Sequence, residues 1–208
     1  MPLVRTIQTY AHAKIGIWHI SEEEAFFSKR VKIEKTVQHP HKRLQHLAAR
    51  YLLTALEPDF PVDKIQIAPS NKPFVPGNTF HFSLAHCGDY AAAIVSRNYR
   101  VGIDVEKISP KVERVATKFL GDKERSFIDA RHYTAHLTLC WCAKESVFKW
   151  DGDGGMDFRE YIHLEPFPFL PEGKIVCHFQ KRNIIADLTL SYFIKEEYCV
   201  AWLVDENK

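Results

Sequence analysis

VGIDVEK, Val101–Lys107, is the stretch on which the fold turns. Val101, Ile103 and Val105 alternate with Gly102, Asp104 and Glu106, the period-two pattern of a strand with one apolar face. Side chains two apart in a strand point the same way and stand roughly 6.6 Å apart. Asp104 and Glu106 therefore share a face. Two readings are open on these residues alone. The face is solvated, or the two carboxylates converge on Mg²⁺, an ion that takes a few oxygen ligands, retains waters and bridges to substrate phosphates.

Upstream of this stretch, TFHFSLAH and DYAAAIVS read as strands, as do KIGIWHI and DKIQIAP. SEEEAFFSK reads as a helix with Ser21 as N-cap and Glu24 three residues on. From Pro40 to Leu56, Leu44, Leu47, Ala48, Tyr51, Leu52 and Ala55 recur at helical spacing. Downstream, SPKVERVATKFL reads as a helix capped by Ser109 with Pro110 in its first turn. DKERSFIDARH reads as a helix capped by Asp122, and TAHLTLCWCAKESVFKW as a long helix stopped by the glycines of DGDGG. YIHLEPF, KIVCHFQ, ADLTLSYFIKE and YCVAWLV read as a meander. This local, antiparallel order predicts α+β rather than a doubly wound parallel sheet. The strand–turn–strand break at Asn98–Arg100 divides residues 1–98 from residues 99–208, with no visible repeat between them.

The chain has 208 residues, 46% hydrophobic and 26% charged, enough apolar surface to offset its ordering entropy. A net charge of +2 does not by itself point to nucleic acid. Five cysteines, an odd number without framework spacing, and a start without a basic-then-apolar leader predict reduced thiols in a cytoplasmic protein. No run approaches the roughly 18 apolar residues of a membrane span. Cys140 and Cys142, two apart on a helix, point away from each other and make poor joint ligands. DGDGGMD is not a calcium loop, because Gly155 stands where an oxygen ligand belongs and Ile162 where the bidentate glutamate belongs.

The helix WCAKESVFKW bears on the two readings. Trp141, Lys144, Glu145 and Phe148 fall at i, i+3, i+4 and i+7, one stripe. With Trp141 and Phe148 towards the core, Lys144 and Glu145 are carried to the interior or a cleft edge, where an unpaired charge costs several kcal/mol. Lys149 follows Glu145 by four, so the segment is either an ordinary i,i+4 pair on an amphipathic helix or a third carboxylate set between two lysines.

VGIDVEK followed by WCAKESVFK resembles the signature of the 4′-phosphopantetheinyl transferases, in which G-[IV]-D-[IV]-E precedes W-x-x-K-E-[SA]-x-x-K. NKPFVPG (Asn71–Gly77) resembles the family's G-[KR]-P segment, FSLAHCGDYAAAIV its F-N-x-S-H-[ST]-G stretch, and FLGDKE its F-[SF]-x-x-E segment. The order is kept from about Arg43 to Lys149. The tryptophan form and the length resemble the larger, surfactin-synthetase-activating class.

The resemblance implies two similar α/β halves in a pseudo-twofold arrangement, with the active site at their seam. It implies transfer of 4′-phosphopantetheine from coenzyme A to a serine of an apo acyl or peptidyl carrier protein, releasing adenosine 3′,5′-bisphosphate: holo-acyl-carrier-protein synthase activity. By the same resemblance Asp104, Glu106 and Glu145 hold Mg²⁺, with Mn²⁺ as the alternative ion. Lys149 and Lys144 meet the phosphates, and Lys149 the transferring group. Glu124 matches a general base, with Glu145 or a metal-bound water as alternatives. His86 matches a phosphate-contacting histidine, and Lys72 a residue at the nucleotide end of coenzyme A. Arg43 falls where the family places a cation for the 3′-phosphate, within the basic run Lys29, Arg30, Lys32, Lys35, Lys42, Arg43 and Arg50. Lys123 and Arg125, on a helix 122–132, form the expected patch for an acidic carrier. Two fused halves imply a working monomer.

The sequence departs from the pattern at Asn71, where the family has glycine, at Ala85, where it has serine, and at Cys87, where it has serine or threonine. Two other functions stay open. One is a Mg²⁺-dependent hydrolase that cleaves coenzyme A without a protein acceptor. The other is a non-catalytic binder of carrier proteins or RNA, which would show a steep salt dependence with RNA.

Overall fold

The structure, a computed structural model, describes residues 3–8, 13–32, 37–77 and 79–206. Lys35 of the basic run lies outside them. The architecture is α+β, two antiparallel sheets each covered by one long helix. Sheet one takes β1 (Leu3–Gln8), β2 (Lys14–His19), β5 (His81–Cys87) and β6 (Tyr90–Ser96) in the order β1-β2-β6-β5. Between them lie α1 (Glu24–Ser28), α2 (Pro40–Leu56) and a two-stranded hairpin of β3 (Gln66–Ile67) and β4 (Pro73–Phe74). Sheet two takes β7 (Arg100–Lys107), β8 (Ile162–Leu164), β9 (Glu172–Lys181), β10 (Ile184–Ile194) and β11 (Tyr198–Asp205) in the order β7-β11-β10-β9-β8. Three short helices, α3 (Ala116–Phe119), α4 (Asp122–Ser126) and α6 (Phe158–Tyr161), flank the long α5 (Tyr133–Asp151).

Three cores follow from this layering. Leu47, Leu52 and Leu53 of α2 pack with Phe27 and Phe82 on one side of sheet one. Leu139, Val147 and Trp150 of α5 pack with Phe179 and Leu190 on one side of sheet two. The third core is the seam: Ile15, Ile17 and Ile94 of sheet one meet Val101, Ile103, Val105, Val200 and Trp202 of sheet two. Strand β7 is thus covered on both sides. Its odd residues enter the seam and its even residues face α5, so the reading of a solvated face is overturned. Side chains from β5 close the seam edge: Ile103 N–H donates to Ser83 Oγ at 3.2 Å and Lys107 N–H to Cys87 Sγ at 3.3 Å.

The second helix and the final meander lie where hydrophobic spacing puts them. Elsewhere local rules lost to context. Strand β1, LVRTIQ, does not alternate apolar with polar residues, so its pattern predicts no strand. Ser21 does not cap α1, which starts after Glu23 without a side-chain cap. Residues 110–115 form a 3₁₀ segment before α3, although Ser109 Oγ does accept from Lys111 N–H. The helix expected over 122–132 stops at Ser126, its N-cap is Gly121 rather than Asp122, and a separate 3₁₀ turn covers Ala130–His132. DKIQIAP yields a 3₁₀ turn and only the two-residue β3.

Candidate active site

The even face of β7 meets α5 rung by rung. Arg100 reaches the helix C-terminus, Gly102 lies against its last turns, Asp104 meets Lys149, and Glu106 meets Trp141. Glycine is required at position 102: a Cβ there would stand 2.1 Å from the Ser146 carbonyl oxygen and 3.0 Å from Trp150 Cβ. Without it the helix could not lie this close to the strand. Ser146 Oγ donates across the contact to the Ala201 carbonyl oxygen of β11 at 2.8 Å.

This approach brings the carboxylates together. Lys149 Nζ donates to Asp104 Oδ1 at 2.6 Å, and Trp141 Nε1 donates to Glu106 Oε1 at 3.0 Å. Asp104 is 4% exposed, and its Oδ2 is buried with no hydrogen-bond partner among the described residues. Burial raises the Asp104 carboxyl, against the pull of Lys149. Burial and the Asp104 charge raise Glu106. Glu145 is pushed up to about 7 by burial, by Asp104 and by Glu106. Burial opposes the charge on Lys149, but Asp104 and Glu145 outweigh it and raise the ammonium. Among the described residues Lys149 is the cation paired with this cluster, through its 2.6 Å contact to Asp104, while burial and mutual repulsion raise the three carboxyls.

As they stand, no three His, Cys, Asp or Glu side chains among the described residues form a group that could hold a metal ion. Asp104 holds an ammonium and Glu106 an indole N–H instead. The donor set nevertheless suits a hard cation: all oxygen, negatively charged, and including one orphaned buried oxygen.

Lys144 and Glu124 do not stand where the resemblance puts them: they pair with each other inside the protein. One residue along α5 from Glu145 turns Lys144 by about 100°, into the core beneath sheet two, where it is 0% exposed. Its Nζ donates to the carbonyl oxygens of Phe119 at 2.7 Å and Ile162 at 2.7 Å, and to Glu124 Oε2 at 2.8 Å, with the Phe158 carbonyl oxygen at 3.1 Å. Glu124 also accepts from the N–H groups of Gly121 and Leu164. With every donor engaged inside protein, Lys144 cannot meet a phosphate, and Glu124 cannot serve as base to an external hydroxyl.

From sheet one, β5 brings His86 close to Lys149. Burial, His46 and Lys149 push the His86 imidazole down to about 4, so it is neutral near pH 7. The His46 ring on α2 stands edge-on to it at 5.0 Å, and the charge of Lys42 reaches it too. Arg43 faces elsewhere, donating to Glu24 Oε1 at 2.8 Å and to the Val37 carbonyl oxygen at 3.0 Å. The structure therefore brings Lys42 and His46, not Arg43, to the histidine. Their i,i+4 spacing, continued at Arg50, was the available signal. Lys72 Nζ donates to the Trp150 carbonyl oxygen at 2.9 Å, and burial, with the nearby Arg100 charge, lowers it to about 8. A cavity of about 420 Å³ connects Lys72 with Lys149, lined also by Asn71, Phe82, Ser83 and Phe148 among others. Ser83 accepts from β7 yet still lines the cavity, the one hydroxyl of β5 there. On α4, Arg125 is paired with Asp122.

A family model described as the 4′-phosphopantetheinyl transferase superfamily matches residues 100–203, which hold sheet two up to Leu203 of β11, α5 and the carboxylates. The chain belongs to this superfamily. It is 33% identical over 87 residues to a 4′-phosphopantetheinyl transferase of Bacillus subtilis, covering 40% of this chain and 38% of that protein. It is 28% identical over 113 residues to the 4′-phosphopantetheinyl transferase gsp of Aneurinibacillus migulanus, covering 52% and 46%. It is 33% identical over 79 residues to a 4′-phosphopantetheinyl transferase of Bacillus pumilus, covering 36% and 34%. The matched segments span less than half the length of these three relatives.

Proposed function

We propose that this protein transfers 4′-phosphopantetheine from coenzyme A to a serine of an apo acyl or peptidyl carrier protein. The observation that carries this reading is the charge-excess cluster of Asp104, Glu106, Glu145 and Lys149, whose Lys149 lines a cavity between β5 and α5 and which lies inside the segment that matches the family. In this reading residues 1–98 contribute nucleotide contacts and residues 99–208 the metal-binding side chains, in a monomeric cytoplasmic enzyme. Among the described residues no helix is long and apolar enough to cross a membrane.

Asp104, Glu106 and Glu145 would hold Mg²⁺, or Mn²⁺, which when bound supplies charge neutralisation at the pyrophosphate. Lys149 then exchanges Asp104 for the phosphate being transferred. His86, neutral, donates a hydrogen bond to a phosphate oxygen, and Lys72 faces the nucleotide end. The serine oxygen forms the new bond to the pantetheine-side phosphorus. The bond from that phosphorus to adenosine 3′,5′-bisphosphate breaks, and the serine proton passes to a Glu145 carboxylate oxygen. Fixed cations in a partly dry cleft stabilise the charge that develops on the leaving phosphate.

The test is incubation of purified protein with coenzyme A, Mg²⁺ and a panel of apo carrier proteins, with mass spectrometry of the carrier. The expected result is a carrier heavier by one phosphopantetheine arm. Release of the bisphosphate without any acceptor would identify a hydrolase instead. Absence of coenzyme A binding would leave the binder reading.

A further inference from the structure

The ladder between β7 and α5 has one rung that lies outside the chemistry. Arg100 Nη2 donates to the carbonyl oxygens of Trp150 and Asp151, both at 2.9 Å. Its guanidinium lies 4.5 Å from the centre of the Trp150 ring. These carbonyls belong to the last turn of α5, where no intrahelical N–H remains for them and where a cation also meets the negative end of the helix dipole. Trp150 is itself fixed, its Nε1 donating to Asp205 Oδ2 at 3.2 Å, and Asp205 is the cross-strand partner of Arg100. Arg100 is therefore locked to both β11 and the helix end.

We infer that Arg100 is a positioning residue for the transfer reaction: it fixes the axial position of α5 along β7, and with it the reach of Lys149 and Glu145 towards Asp104 and Glu106. The inference rests on the proposed transferase reading. Its logic lies in what happens when ligands arrive. Two rungs, Asp104 to Lys149 and Glu106 to Trp141, join groups that the reaction needs for other partners. Lys72, the other cation on the Trp150 carbonyl, lines the ligand cavity and has a nucleotide to meet. When these three contacts are exchanged for ligand contacts, Arg100 remains to hold the register, together with the Ser146–Ala201, Trp150–Asp205 and Lys181–Asp151 hydrogen bonds. A small slide of the helix moves Lys149 away from a transferring phosphate, and misplacement of about 1 Å can cost two orders of magnitude in rate.

Arg100→Gln and Arg100→Lys test this, with apo carrier protein, coenzyme A and Mg²⁺ as substrates. Arg100→Gln is expected to lower kcat by about 10-fold or more while leaving KM for coenzyme A within about twofold, because no coenzyme A contact is removed. Arg100→Lys keeps a donor for the Trp150 carbonyl and is expected to recover most of the loss. Hydrogen exchange of the backbone amides in the last turn of α5 is expected to quicken in Arg100→Gln and return towards the wild-type rate in Arg100→Lys. Wild-type kcat in Arg100→Gln, or a loss that appears wholly in KM, would overturn the inference. Should Arg100→Gln not fold, a wild-type kcat in Arg100→Lys with quickened exchange at the helix end would overturn it equally. If the wild-type protein transfers nothing, the transferase reading falls by itself, and unchanged exchange in Arg100→Gln would separately end the positioning claim.

Discussion

Helix α5 carries two lysines, each against a buried carboxylate, and the two pairs are in opposite states. Lys144 lies 2.7 Å from Glu124 Oε1, with side-chain exposures of 0% and 6%. Three carbonyl oxygens complete its shell, and two backbone N–H groups complete that of Glu124. Lys149 lies 2.6 Å from Asp104 Oδ1, with exposures of 25% and 6%. Asp104 Oδ2 has no hydrogen-bond partner among the described residues, and Glu106 and Glu145 add negative charge beside it. The first pair is saturated and neutral within its shell, and it ties the loop after α3 and the turn into β8 to the helix. The second is under-coordinated and carries excess charge. Burial of a charge is common to both, so it does not mark a site. Excess like charge around an unpartnered carboxylate oxygen marks it.

The widest break in this comparison should come from Lys144→Met. It strands Glu124 in the core, and a loss of about 3–5 kcal/mol in a urea titration is expected. Lys149→Met should cost clearly less, because Asp104 can take a proton and the cleft is open; equal losses would erase the distinction. Activity should reverse the ranking. Asp104→Asn is expected to lower turnover by about 10²–10³-fold, the range for removing one electrostatic stabiliser, while the thermal midpoint stays near wild type. Glu145→Gln should lose turnover similarly but gain slightly in thermal midpoint, since it removes one of three carboxylates that repel one another; a fall in midpoint would show that Glu145 is structural.

Metal and pH sharpen the contrast further. Mg²⁺ should raise the thermal midpoint of the wild type but not of Asp104→Asn. A carboxyl whose pKa is raised keeps its proton to higher pH, and the proton competes with the ion. The Mg²⁺ effect should therefore shrink as pH falls through about 7, where Glu145 becomes protonated. Equal shifts on both sides of that range, by calorimetry, would remove Glu145 from the ion. The smallest effect is expected at Lys72. Its ammonium, lowered to about 8, loses charge as pH rises through that value, so KM for coenzyme A should rise modestly there. Lys72→Arg, charged throughout, should flatten the profile; an unchanged slope would exclude Lys72 as its source.

Much of the fold is legible in the residue pattern, and the reasons are local. The 17 residues of α2 carry a one-sided apolar stripe, and Pro40 opens them. In sheet two, β9 alternates buried and exposed residues along most of its length. Helix α5 is legible as a helix, with Gly152 in the left-handed region at φ 75° ending it, but not as a map of faces. It is buried on nearly every side, so the stripe through Trp141, Lys144, Glu145 and Phe148 points to no single environment. Trp141 and Phe148 stay half-buried at the cleft, while Lys144 goes to the deepest core. Segment 122–132 fails for a related reason. Glu124 is drawn inward by Lys144, and the chain breaks after Ser126 instead of continuing a surface helix.

The primary structure settled which side chains share a face, because a strand repeats every two residues and a helix every 3.6. It therefore placed Asp104 with Glu106, and Glu145 one turn before Lys149. What lies opposite each face came only from the folded chain. Packing α5 against β7, permitted by the missing Cβ of Gly102, gave Asp104 to Lys149 and left Glu145 beside them. The same packing sent Lys144 and Glu124 into an enclosed pair. Periodicity is a property of one segment, whereas the partner of a charge depends on a second segment brought near from far along the chain.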